Sequence, residues 1–155
     1  MSALFFEELT VGQKFRSGTL RVEAAEIIAF ARDFDPQPFH LDEEAGRKSP
    51  LGGLAASGWH TAALTMRLLV AGPFRPSGGI VGGGGDLQWL QPVRPGDQLG
   101  VETEILELRP SRSRPAYGLV KVRVTTSNQH GEAVQTFAPT LLVERRTSEQ
   151  HPDQR

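Results

Sequence analysis

The stretch SGWHTAALTMRLLVA, residues 57–71, constrains the fold of this chain more than any other. It predicts a helix that needs cover on two sides. Ser57 suits an N-cap, because its hydroxyl can accept from first-turn amides, and Gly72-Pro73 stops the other end. Between them Trp59, Ala62, Ala63, Met66, Leu69 and Val70 share one wide apolar face, and Leu64 and Leu68 form a second strip. No acidic residue falls within the stretch. A purely structural core helix satisfies this pattern. Its start has a second use, since a helix N-terminus presents unpaired N–H groups and about half a positive charge, suited to a phosphate, a carboxylate or a developing oxyanion. Gly58, just past the cap, leaves room for a substrate carbonyl to approach its amide.

The remaining elements supply the cover. Residues 14–22 read as a first strand whose sparse apolar residues suit a sheet edge, and 23–34 as a helix stopped by Pro36. The rule that a residue before proline avoids helical geometry acts on both Asp35 and Gln37, so DPQPFH, residues 35–40, is expected as a stiffened extended loop. One or two helical turns fit 41–46. After Pro73 the β-branched content changes the period, and 80–90, 98–108, 117–127 and 134–143 read as strands separated by turns, with a basic loop at 109–115. One strand, helices, then four strands give an α+β domain with an antiparallel sheet on the long helix. Residues 1–144 are expected as one domain and 145–155 as a polar, disordered tail.

Composition excludes several function classes. Seventeen Lys and Arg against eighteen Asp and Glu leave a net charge of −1, so no global field recruits nucleic acid or an anionic membrane. The chain has no cysteine, which removes thiolate ligands, disulfides and a thiol nucleophile and is compatible with a reducing cytoplasm. The start, MSALFFEEL, lacks the basic and apolar regions of a signal peptide, and no segment is long enough to span a membrane. A cytoplasmic location is the expectation.

Asp35 and His40 are the strongest candidate pair for chemistry. Unperturbed pKa values of about 3.9 and 6.5 make one a ready base and let the other give or take a proton near neutrality. Spacing alone does not fix whether the two side chains converge, and turn chemistry after a helix accounts for the same residues.

The runs FARDFDPQPFHLDEEAG and SPLGGLAASGWHTAALTMRLLV together closely resemble the MaoC-like dehydratase family, which includes the (R)-specific enoyl-CoA hydratases. GGDLQWLQPVRPGDQLGVE resembles the family's middle strands and SRSRPAYGLVKV its basic hairpin, so the resemblance runs from about residue 5 to residue 143. It implies a hot-dog fold, a five-stranded antiparallel sheet wrapped around the long helix, and a homodimer with substrate near the subunit boundary. Asp35 and His40 match the family's catalytic pair, and Gly58 the position whose amide faces the thioester oxygen. Gln37 stands where Asn is common, and Phe34 where Gly is often found. Gln37 and Ser57 are expected among the substrate-binding residues. The implied reaction is reversible hydration of a 2-enoyl-CoA, with CoA as part of the substrate and no metal or other cofactor. A thioesterase on the same fold, or a non-catalytic acyl-thioester binding module, is the alternative. No Asp or Glu lies between Glu44 and Asp86, which counts against the thioesterase.

Other features carry weaker expectations. Residues 82–85 are not a phosphate loop, because no Lys-Ser/Thr follows, and are expected to let the sheet bend or pack closely. Arg112 and Arg114 offer guanidinium forks for CoA phosphates, although a solvated hairpin fits them too. His60 is expected as a satisfied structural histidine. A second copy is expected to cover the open sheet edge and the Leu64 and Leu68 strip.

Overall fold

Gln98–Pro110 (β3) and Tyr117–Ser127 (β4) alternate buried with less buried residues, as strands must when one face lies on a core. Leu99, Val101, Ile105, Val120, Val122 and Val124 are the inward set. These two strands form the centre of a five-stranded antiparallel sheet of order β1-β3-β4-β5-β2, in which β1 is Lys14–Arg21, β2 is Gly82–Trp89 and β5 is Ala133–Glu144. The strand expected at an edge, β1, is at an edge. The computed structural model describes residues 2–146, so of the tail expected at 145–155 only the first two residues are described and 147–155 lie outside the described residues. Those two residues pack on the chain's N-terminal segment. Arg145 pairs with Glu7 at 3.1 Å, and the Arg146 guanidinium lies 4.8 Å from the Phe5 ring centre.

The long helix, α4, spans Gly58–Ala71, with the Ser57 hydroxyl accepting from Trp59 N–H at 3.3 Å and Gly72 at the other end. It lies across the sheet, which wraps it in the hot-dog arrangement. Its buried face consists of His60, Thr61, Leu64, Thr65, Leu68 and Leu69. Here the structure corrects the expected faces: Leu64 and Leu68 are covered by the chain's own sheet, while Trp59, Met66 and Val70 are exposed. Two threonines cause the difference. Thr61 and Thr65 return their hydroxyls to helix carbonyls four residues earlier, at 3.4 and 2.9 Å, so they can be buried on the inward face. The apolar stripe of Trp59, Ala63, Met66 and Val70 is displaced outward.

Residues 82–85 behave as expected. The β2–β5 register shifts between Gly82 and Gly85, and a Cβ on Gly85 would stand 2.5 Å from the Ala138 carbonyl oxygen, so only glycine lets the strands close there.

The loop DPQPFH differs from expectation at its second half. Ala24–Phe34 (α1) ends at Asp35, and Pro38–Leu41 is a short helix, α2, followed by Glu43–Arg47, α3. Gln37 is extended, with φ −93° and ψ 145°, as a residue before proline should be. Pro38 then stands at the first helical position, where its missing N–H costs nothing and its fixed φ suits a helix. His40 is therefore held on a helical turn. β3 also runs on through Arg109 and Pro110 into the expected basic loop.

Candidate active site

Three segments meet at one cleft of about 420 Å³: the α1–α2 corner, the chain entering α4, and the end of β2. Asp35 caps the C-terminus of α1 with its N–H on the Ala31 carbonyl, which fixes its direction relative to that helix. His40 sits one turn of backbone later on α2 and is buried. The Phe39 carbonyl accepts from Ala55 N–H at 3.2 Å, and His40 Nδ1 contacts the Ala55 carbonyl at 2.7 Å. These bonds tie the histidine to the strand-like run that feeds α4.

The convergence that spacing left open is present: His40 Nε2 lies 3.2 Å from Asp35 Oδ2. The hydrogen-bond inventory then fixes the tautomer. A carbonyl only accepts, so Nδ1 carries a hydrogen and Nε2 is the nitrogen turned to the carboxylate. The two groups are within reach of a proton passing between them.

Burial alone would raise the pKa of Asp35, but hydrogen bonds from Ser57 and Gln37 and the charge of His40 outweigh it, and the net direction is downward. Gln37 Nε2 donates to Asp35 Oδ1 at 2.6 Å from the exposed side of the cleft. Ser57, expected among the substrate-binding residues, is fully buried and not among the residues that line the cleft; it caps α4 through its hydroxyl and hydrogen-bonds the Asp35 carboxylate.

Gly58 stands at the first helical position and on the cleft wall. Among the described residues its N–H has no partner, as expected for the first amides of a helix, and Gly58 lines the same cleft as Asp35 and His40. A carboxylate, an imidazole and an amide donor can together move protons next to an oxygen that gains charge.

Arg112 and Arg114 are not brought to this cleft within one chain. They lie in the β3–β4 hairpin, beyond the Tyr117–Glu144 end of the sheet, whereas Trp89 pairs with Gln135 near the other end. Strand rise along β5 puts the two regions roughly 30 Å apart. His60 is a second departure. Its ring stacks on Phe30 with centroids 4.7 Å apart, yet Nδ1 is the one buried side-chain nitrogen or oxygen without a hydrogen-bond partner among the described residues. Burial lowers its pKa, opposed by Glu26. Sequence reasoning also passed over Trp89, which lines the cleft from β2. An aromatic residue at the end of a strand, followed by LQP, carries no sequence signal that its half-exposed ring packs on the start of α4.

Comparison with known proteins places the chain among close neighbours. The MaoC like domain matches residues 6–128. The YdeM protein of Bacillus subtilis is 34% identical over 138 residues, which cover 88% of this chain and 95% of that protein. The 3-hydroxybutyryl-CoA dehydratase of Methylorubrum extorquens is 33% identical over 115 residues, 74% of this chain and 71% of that one. Among solved structures, the MaoC-like dehydratase from Rhodospirillum rubrum superposes with a TM-score of 0.91 at 56% identity, covering 94% and 99% of the two chains. The (R)-hydratase PhaJ1 of Pseudomonas aeruginosa gives 0.73 at 26% identity, covering 93% and 88%.

Proposed function

The chain belongs to the MaoC-like domain family, and we propose from this premise that it reversibly adds water to a 2-enoyl-CoA, or a similar acyl thioester, to give the 3-hydroxyacyl thioester. One observation carries the reading: the 3.2 Å Asp35–His40 contact shares a cleft with the unpartnered Gly58 amide. In the hydration direction the Asp35 carboxylate takes a proton from water as its oxygen bonds to the β-carbon. His40, carrying a proton on Nε2 in this reading, delivers it to the α-carbon. Between these events the thioester oxygen gains enolate charge, which the Gly58 N–H and the α4 dipole stabilise. The proton taken by Asp35 then passes to His40 across the same contact, restoring the starting state. Water has added as a whole and no oxidation state has changed, so the reaction needs no redox cofactor or metal, and CoA enters as part of the substrate.

The functional unit in this reading is a homodimer. The edge strand β2 lies unpaired on one side, and Trp59, Met66, Val70, Val81, Trp89 and Leu90 are exposed apolar residues. A second copy related by a two-fold axis would cover both. Antiparallel pairing of the two β2 edges also carries the partner's β3–β4 hairpin toward this cleft, which is the route by which Arg112 and Arg114 would reach CoA phosphates.

The test is turnover of a panel of enoyl-CoA thioesters, followed by loss of conjugation. Hydration of at least one member by the wild type, abolished by Asp35→Asn, is expected. Release of free thiol without hydration would instead support a thioesterase, and saturable binding without either reaction would support a binding module.

A further inference from the structure

We propose that Trp89 is the specificity-determining wall of the cleft and restricts the site to thioesters with a short, unbranched acyl group, a statement that rests on the thioester reading above. Trp89 ends β2, an otherwise outward-facing edge strand, and turns its indole over the first turn of α4. A Cβ added to Gly58 would stand 2.4 to 2.7 Å from ring atoms Cε2, Cδ2 and Cζ2, so the ring lies directly against the glycine backbone. Trp59 meets it edge-on, with centroids 5.0 Å apart and planes at 87°.

The polar end of the ring is anchored as firmly. Nε1 donates to Gln135 Oε1 at 3.0 Å, and Gln135, 1% exposed, donates from Nε2 to Thr65 Oγ1 at 3.1 Å. Thr65 gives its only hydroxyl proton to the Thr61 carbonyl at 2.9 Å, so Thr126, 2.6 Å away, must be the donor in the Thr65–Thr126 bond. Each side chain from Trp89 to Thr126 is thereby hydrogen-bonded to the next. Swinging the indole aside would leave the buried Gln135 oxygen without a donor, so the wall is held rather than mobile.

Its position makes it selective. The thioester oxygen is fixed at Gly58 N–H and the reacting carbons at Asp35 and His40, so the rest of the acyl group leaves from a point already overhung by the ring. The pantetheine arm carries amides and suits the open side at Gln37 and Gln91, both exposed. The acyl end is apolar and is left the wall built by Trp89, Leu90 and Val93. Chain atoms beyond the first few, or a branch, meet the indole face.

The experiment compares kcat/KM for crotonyl-CoA and trans-2-octenoyl-CoA in the wild type, Trp89→Phe, Trp89→Ala and Gln135→Leu. Each methylene newly buried is worth about fourfold. The C8/C4 ratio should rise at least tenfold in Trp89→Ala, chiefly through KM for the longer substrate, and by less in Trp89→Phe. Gln135→Leu keeps the indole but frees it, and should raise the ratio part of the way, which a merely structural role would not do. Binding of the non-reacting S-butyl-CoA and S-octyl-CoA thioethers is measured in parallel by calorimetry. Unchanged C8/C4 ratios in both assays overturn the wall, and if Trp89→Ala does not fold, Trp89→Phe and Gln135→Leu decide. A wild type that hydrates no enoyl thioester overturns the proposed function alone, because the thioether ratio still reads the wall.

Discussion

Asp35→Asn is the sharpest perturbation the site offers, because it changes charge and basicity with almost no change of shape. In the native pair Asp35 Oδ1 accepts from Gln37 at 2.6 Å, and Oδ2 faces His40 Nε2 at 3.2 Å. The introduced carboxamide can keep its oxygen on Gln37 and turn its NH₂ to His40 Nε2, which is an acceptor once the ring is neutral with its hydrogen on Nδ1. Both neighbours stay satisfied. The loss in stability is then about 1 kcal/mol, charge-assisted bonds being replaced by neutral ones, and Tm should fall by about 2–4 °C. The loss in rate is far larger. A positioned base contributes about 10²–10⁴-fold, or about 3–5 kcal/mol of barrier. Losing the carboxylate also removes the partner that would return a proton to His40. The double variant Asp35→Asn/His40→Gln should therefore be little slower than Asp35→Asn, with strong non-additivity in the cycle. Conjugation loss measures rate and calorimetry measures Tm. Activity within threefold of wild type in Asp35→Asn, or additive effects in the double variant, would refute the reading of the two residues as one acid–base unit.

Gly58→Ala sets a methyl 2.4 to 2.7 Å from the Trp89 ring, so overpacking of about 1–3 kcal/mol is expected; adding Trp89→Ala should recover part of the lost Tm, and a Tm equal to wild type for the single variant would contradict the packing described. Acid should destabilise the fold in two windows. The pKa values of His60 and Asp35 are both lowered by folding, so the unfolded chain binds more protons and stability falls as pH drops. For His60 the loss begins near 6.5 and continues through its lowered folded value; for Asp35 it begins near 3.9. His60→Leu should flatten the Tm slope between pH 7 and pH 5, and an unchanged slope would remove His60 as its source. For the dimer, Ala63→Lys/Val70→Asp should shift sedimentation toward monomer and reduce turnover together, whereas a fully active wild-type monomer at all concentrations would dismiss the assembly. Arg112→Gln/Arg114→Gln should raise KM for a CoA substrate but not for the matching pantetheine thioester, and equal effects on both would reject a phosphate contact.

What was legible in the sequence was what local chemistry determines. The caps of α4, the alternation in β3 and β4, and the prolines bracketing Gln37 each act within a few residues, and the structure follows them closely. The inward face of α4 was less legible because an apolarity pattern treats threonine as polar. Thr61 and Thr65 hide their hydroxyls on helix carbonyls, and Thr65 and Thr126 meet from positions far apart in the chain, which periodicity does not register. The same limit kept Trp89 out of view. Its role depends on Gly58 lacking a side chain, on Gln135 across the sheet, and on the end of β2 lying over the start of α4, three facts that only the tertiary fold combines. Asp35 and His40 lie between these cases. Their spacing permits convergence, the α1 C-terminus and the Pro38 turn aim them, and the Ala55 carbonyl, supplied from the other side of the cleft, completes the geometry by setting which nitrogen of His40 carries the hydrogen. Because that carbonyl is backbone, no side-chain substitution at position 55 removes it. A substitution that displaces the run 53–56, such as a bulky residue at Gly46, whose Cβ would stand 2.3 Å from the Gly53 carbonyl group, should therefore impair the pair without touching either member.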